Sequence, residues 1–426
     1  MGTSGSAARV VDEGFGYPEG RHHAPHGWFR HLAGIATTSS APSLMRVALE
    51  RSAGQRVERL RAAASPRRRR AAGPTMRSLV ASPGGRLRWR DVPAPRVPGP
   101  GAALVHPIAV ATCDLDRAMG LGRTPFLLPF QFGHECVAEV TAVGEAVTSL
   151  HPGDRVVVPF QINCGRCQPC SAGLTGNCAA VPPISMYGFG LTGGHWGGVL
   201  ADLVAVPFAE GMLVRLPDGV DPAAAASVAD NVVDGYRCVA PHLPAILERD
   251  PDSEVLILAE LGHRIPLSSS AMLYAALTAR ALGARHVHFV DRRGHVRRHA
   301  EAIGIHAHAP EDLRTLRPAP LVVDGTVTGP GLMTAISKTA SDGICASTAS
   351  LRRTTRIPTA LMYGRNISYH LARSHARAHI PAVLDLMASG ALDASLVTSH
   401  VGSLDAADRV IAEHLVGEAT KTILVE

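Results

Sequence analysis

Four cysteines, Cys164, Cys167, Cys170 and Cys178, are spaced C-x2-C-x2-C-x7-C. Four thiolates can enclose one Zn2+ tetrahedrally at Zn–S distances of about 2.3 Å, and spacers this short let one lobe supply them all. Such a site has no open position, so its zinc is structural. The other uses of these thiols are two disulfides or four free groups in a loop. Disulfides need an oxidising compartment, and no basic-then-apolar secretory pattern opens the chain. Gly165, Pro169 and Gly173 furnish turns, so the lobe is built of loop rather than regular structure.

The segments that must position this lobe fall into two kinds. From Met76, Arg77-Ser78-Leu79-Val80 and Leu87-Arg88-Trp89 predict a hairpin around Pro83-Gly84-Gly85. Strands are expected at 103–110, 137–140 and 156–158, with Val143-Gly144 and Pro152-Gly153-Asp154 as turns. Further on, the apolar runs Val255-Leu256-Ile257-Leu258, Val287-His288-Phe289-Val290 and Leu321-Val322-Val323 alternate with helical stretches at 270–282 and 295–303. That alternation implies a parallel, doubly wound sheet. The stretch 223–238 is helical in composition, and a further amphipathic helix is expected at 381–389.

A chain of 426 residues exceeds one typical core, so two domains plus extensions are expected. No apolar run reaches about 18 residues, so no transmembrane helix is expected, and the thiol usage suits a reducing cytoplasm. Residues 1–75 carry twelve Arg against five Asp or Glu, a net of +7, which leaves −1 for the rest of a +6 chain. Nucleic-acid binding by the folded body is therefore not expected. This first segment contains one candidate basic helix at 47–63 and the histidines His22, His23, His26 and His31. It reads as a disordered basic extension. Forty of the basic residues are Arg and only two, Lys338 and Lys421, are Lys.

Gly133-His134-Glu135, Val143-Gly144, Pro152-Gly153-Asp154-Arg155-Val156, the four-cysteine lobe and Ala281-Leu282-Gly283-Ala284 together resemble the zinc-containing, medium-chain alcohol dehydrogenase family. The resemblance covers the chain from Met76 onward. It implies a GroES-like β-barrel catalytic domain (76–230), a Rossmann cofactor domain (231–365) and a C-terminal segment (366–426) that closes the second and returns to the first. It also implies an alcohol or aldehyde substrate, hydride exchange with NAD, and a dimer or tetramer. The stretch 229–236, with Asp230, is similar to the Asp-bearing helix start of the formaldehyde dehydrogenase branch, whose catalytic zinc is held by Cys, His and Asp.

The resemblance assigns a second, catalytic zinc to Cys113, His134 and Asp230. Three protein ligands leave one exchangeable position, and bound zinc lowers the pKa of water or an alcohol placed there. Glu135 is an alternate ligand or a supporting carboxylate, and Asp116 stands where the family has an Asp that orients the His ligand. Taken singly, each has a plainer use: Cys113 as a small buried hydrophobe, His134 as a core histidine, Asp230 as a helix-start acid. Where the family has Ser or Thr two residues after the Cys ligand, to pass a proton outward, this chain has Leu115. Thr112, Asp114 or bulk water is left for that task.

A dinucleotide-binding strand is expected to run into G-x-G-x-x-G. Here residues 259–272 keep only Gly262, with Glu260 early in the loop, His263 and Arg264 beside it, and Ser268, Ser269 and Ser270 available to cap the helix. Met272 stands at the place of the last glycine. Asp291 ends the second strand where a carboxylate would bind the ribose of NAD, and Arg292 and Arg293 after it leave NADP open. Gly262, Ser270, Asp291 and Arg292 are thus the candidate cofactor residues. The atypical loop and Leu115 together leave a second reading, a non-enzymatic member that keeps the fold and the structural zinc.

Overall fold

The computed structural model describes residues 74–426 apart from 83–85, 96–98, 122–123, 125, 127, 263–266 and 349–354. The basic segment with its candidate helix and histidines, the turn at 83–85 and the pair His263–Arg264 lie outside the described residues.

The first part of the chain is β-rich. β1 (Thr75–Ser82) and β2 (Arg86–Pro93) pair antiparallel from Thr75↔Pro93 to Ser82↔Arg86, as the hairpin pattern predicts. β3 (Ala103–Ala111), β5 (Glu135–Val143) and β6 (Arg155–Val158) form successive antiparallel pairs. β4 (Phe130–Gln131) joins β1, β7 (Val204–Val206) pairs with β3, and β8 (Val214–Arg215) pairs with β6. A short helix, α1 (Asp116–Gly120), follows β3.

The second part is the doubly wound sheet. β9 (Glu254–Glu260), β10 (His286–Asp291), β11 (His306–His308), β12 (Ala319–Asp324), β13 (Thr339–Ser347) and β14 (Ser368–Leu371) stand in the order β11-β10-β9-β12-β13-β14. Every pairing in it is parallel, and β9, from which the sheet grows both ways, is apolar and buried on both faces. Helices α2 (Asn231–Val239), α3 (Ser270–Ala281) and α4 (Gly294–Ala302) accompany it. After α5 (Ala376–Ala388) come β15 (His400–Ser403), α6 (Ala407–Val416) and β16 (Thr422–Val425). β16 pairs antiparallel with β3, so the last strand is stitched into the first sheet.

Two local expectations are corrected. The stretch 223–238 is not one helix. It breaks at Asp230, whose backbone (φ −146°, ψ −74°) leaves the helical region between a 3₁₀ turn and α2. At the break the Asp230 carboxylate meets Cys113 Sγ at 3.2 Å. The helix expected from Pro381 onward begins earlier, at Ala376, and carries Pro381 inside it. That proline removes one backbone hydrogen bond. Ala376 and Ile380, both fully buried, anchor the turn before it, and Gln161 accepts the Ala376 amide at 3.3 Å.

Candidate functional site

Cys113 lies at the end of β3 and His134 immediately before β5, so two adjacent antiparallel strands bring them side by side. Gly133 makes the turn into β5 at φ +87°, the left-handed region that glycine favours. Gly188 lies over that turn so closely that a Cβ there would stand 2.5 Å from the Gly133 carbonyl oxygen. The helix break brings the third group: Cys113 Sγ and Asp230 Oδ2 are 3.2 Å apart, and His134 Nε2 is 3.4 Å from the same oxygen. One ligand atom from each of Cys113, His134, Glu135 and Asp230 lies within 4.8 Å of all the others. The structure thus brings together the three residues expected as ligands, with Glu135 beside them.

The donor set fits a zinc-type ion. His134 is 1% exposed, its Nδ1 has no hydrogen-bond partner, and its Nε2 has only the approach to Asp230. Burial, then the Asp230 carboxylate, push the Cys113 thiol well above its usual range. Burial works to raise Asp230, but His134, Cys113 and Lys421 together outweigh it and the carboxyl is lowered. A thiol, an imidazole and a carboxylate crowded in a dry pocket are the groups a divalent cation would satisfy at one stroke. The Cys113 sulfur also accepts from the Leu115 amide and from Asn231 Nδ2, each at 3.4 Å, an arrangement suited to a thiolate.

Asp116 is buried, but it acts through the chain: Oδ2 accepts the Cys113 amide at 2.8 Å, while Oδ1 has no partner. It thereby fixes the loop that carries the thiol. The Thr112 hydroxyl is spent on β16, accepting the Thr422 amide at 3.0 Å. The rings of Phe189 and Phe160 lie 4.8 and 6.0 Å from that of His134, and Phe126 meets Phe189 edge-on at 4.9 Å.

The four-cysteine lobe also closes on itself. Its four sulfurs lie within 4.8 Å of one another, and Cys167 and Cys178 are 3.9 Å apart, where a tetrahedral site with Zn–S of about 2.3 Å needs about 3.8 Å. Backbone amides of Cys164, Cys167, Ala179 and Ala180 point at the sulfurs at 3.3–3.4 Å. Partial burial opposes ionisation of Cys167, yet the Cys170 and Ala179 amides, with the Cys170 and Cys164 side chains, outweigh it and bring the thiol down to about 6. The other three cysteines, Cys136, Cys238 and Cys345, are fully buried among apolar groups and make no such cluster.

The candidate cofactor residues are placed differently. Gly262 follows β9 with φ +128° and open space around it. Asp291 is completely buried: Arg293 Nη2 lies 2.7 Å from Oδ2, Arg293 Nε 3.0 Å from Oδ1, and Ser269 Oγ 3.0 Å from Oδ2. Arg292 pairs instead with Glu260. Met272 fills the space above β12, where a Cβ on Gly325 would stand 2.4 Å from its sulfur. None of the three serines caps α3 with its side chain. Ser270 and Ala271 donate their amides at 2.9 and 3.0 Å to the two carboxylate oxygens of Asp114.

Lys421, on the last segment, was not visible as a site residue. Its side chain is fully buried, with Nζ 2.7 Å from Glu135 Oε2 and 2.9 Å from Asn231 Oδ1. Burial alone would lower its pKa, but Glu135 together with Tyr274, Cys113 and Asp114 outweighs burial and raises it. The sequence carried one faint signal, that a chain with forty Arg keeps a lysine here.

A β-rich part bearing a thiol–imidazole–carboxylate cluster is thus followed by a doubly wound parallel sheet. Residues 99–218 match the alcohol dehydrogenase GroES-like domain. Over 161 residues the chain is 32% identical to a probable zinc-binding alcohol dehydrogenase of Mycobacterium tuberculosis, covering 38% of this chain and 40% of that one. Over 143 residues it is 35% identical to the glutathione-independent formaldehyde dehydrogenase of Pseudomonas aeruginosa, covering 32% and 36%. The chain thus spans about two fifths of the length of these curated relatives. Its fold superposes on an alcohol dehydrogenase of Thermus sp. ATN1 with a TM-score of 0.73 at 27% identity, over 82% of this chain and 99% of the other. The chain is thus similar to the zinc-type alcohol dehydrogenases, through the GroES-like domain of residues 99–218 and through the fold of the whole described chain. Among the described residues no helix is long and apolar enough to cross a membrane.

Proposed function

We propose that the chain is a zinc-dependent oxidoreductase that exchanges hydride between an alcohol or aldehyde and NAD or NADP. The observation that carries this reading is the Cys113–His134–Asp230 cluster, with a buried imidazole that lacks a hydrogen-bonding partner. These three residues would hold the catalytic zinc, which when bound supplies a Lewis acid for the substrate oxygen. The cysteine lobe would hold a second, structural zinc. Asp116 keeps the thiol-bearing loop in place through the Cys113 amide, and Asn231 steadies the sulfur. Phe160 and Phe189 beside His134, with Phe126 against Phe189, give the reacting centre an apolar wall, which favours an apolar or aromatic substrate over a polyol. With Leu115 in the relay position and the Thr112 hydroxyl bound to β16, the substrate proton leaves by water and not by a side-chain chain.

A second reading, a family member that keeps the zinc but turns over no cofactor, is favoured by the sealed Asp291. Metal analysis and turnover separate the two. The oxidoreductase reading expects two zinc per chain, one in His134→Ala, and absorbance at 340 nm rising with an aromatic alcohol and NAD+ or NADP+. Two zinc with no turnover of alcohols or aldehydes by either cofactor would leave only the second reading standing.

A further inference from the structure

In a doubly wound sheet the helix after the first strand points its free amides at the dinucleotide pyrophosphate. Here that helix is α3, after β9, and two of its first-turn amides, those of Ser270 and Ala271, are already taken. Asp114, one residue beyond Cys113 and outside the doubly wound sheet altogether, places one carboxylate oxygen on the Ser270 amide and the other on the Ala271 amide, at 2.9 and 3.0 Å. The Ser270 hydroxyl lies against the same carboxylate. The contact is reinforced from the backbone, since the Ser268 amide donates to the Asp114 carbonyl at 3.1 Å and the Asp114 amide donates to Asn231 Oδ1 at 3.1 Å. Ser269, the residue at the cap position, contributes nothing there because its hydroxyl is engaged by Asp291 and Arg293.

We propose that Asp114 is a resident anion that competes with the cofactor pyrophosphate for the α3 amides and so sets the dinucleotide affinity of this chain. This rests on the nicotinamide reading above and adds a determinant to it. The physical argument is charge for charge. A pyrophosphate brings two negative charges to donors that already satisfy one, and it must either displace the carboxylate or lie beside it. Displacement is not local, because Asp114 is covalently next to Cys113. A dinucleotide that takes its place at α3 must move the loop that carries the metal-cluster thiol. Where the pyrophosphate displaces the carboxylate, cofactor binding and the position of Cys113 are therefore coupled.

The test uses the full chain with its metal. Binding of ADP-ribose, which carries the pyrophosphate without nicotinamide, is measured by calorimetry for the natural protein, Asp114→Asn and Asp114→Ser, with adenosine as the probe that lacks phosphate. Removing one charge a few ångströms from a phosphate is expected to tighten ADP-ribose at least tenfold in both variants and to leave adenosine unchanged. Melting temperature and zinc content certify that each variant is folded and loaded. Equal ADP-ribose affinity in all three proteins overturns the competition while leaving the cofactor reading intact. Tightening of adenosine by the same factor also overturns it, since that marks a general loosening of the cleft. If none of the three binds ADP-ribose at millimolar concentration, both the competition and the nicotinamide reading fall.

Discussion

Lys421 Nζ lies 2.7 Å from Glu135 Oε2, and both side chains are fully buried. The pair joins the residue just before the last strand, β16, to the first residue of β5, next to the thiol–imidazole–carboxylate cluster. Asn231 completes the lysine's shell from the start of α2 and also touches the Cys113 sulfur. One ammonium thus ties together the C-terminal segment, the β-domain and the helix that begins at Asp230.

Breaking this pair from one side leaves a carboxylate in a dry pocket with its cation gone. Lys421→Met is expected to destabilise the chain by about 3–5 kcal/mol, and adding Glu135→Gln to it should recover most of that loss. Urea unfolding of the natural protein, both single variants and the double variant measures the coupling. Additive losses would show that the two groups do not depend on each other.

How far the sequence disclosed all this depends on chain distance. The cysteine lobe was legible because its ligands are fourteen residues apart at most, so spacing alone encodes the geometry. Cys113 and His134 were legible only through motifs, since their meeting is created by β3–β5 pairing. The doubly wound order followed from alternating apolar runs and helices, whereas the break at Asp230 did not, because helical composition persists on both sides of it. The contacts that Asp114 and Lys421 make were not legible. Their partners lie 156 and 286 residues away, and no local pattern records an ion pair or cap of that range.

The lobe has a second use that its spacing does not announce. Arg373 Nη2 donates to the Gly176 carbonyl at 2.8 Å, and the Gly176 amide donates to His375 Nδ1 at 3.1 Å, just before α5 begins. A zinc-bound lobe therefore holds the start of α5. Cys170→Ser is expected to lose one zinc per chain, to lower the Tm by on the order of 10 °C, and to speed exchange of the Gly176 amide. His134→Ala should lose the other zinc with that amide still protected. If Cys170→Ser keeps both metal ions, the lobe is not a zinc site.

His414, in α6, gives a pH signature that lies outside both clusters. It is nearly fully buried, its Nδ1 is 3.0 Å from Thr422 Oγ1, and its Nε2 has no partner. Burial, helped by the nearby Arg117 and Lys421 cations and by His400, brings its pKa down to about 3. A base whose folded pKa is depressed takes up a proton on unfolding, so the unfolded state gains protons first as pH falls. His414 thus leaves stability intact above its unfolded pKa of about 6.5 and erodes it progressively between there and about 3. In that window the slope from this one group approaches 1.4 kcal/mol per pH unit. His414→Gln keeps a partner for Thr422 without titrating. Its urea stability should fall less steeply than that of the natural protein between pH 6.5 and 5, by about 2 kcal/mol in total. Parallel curves for the two proteins over this range would mean that His414 is protonated in the folded chain and that its burial does not resist the proton.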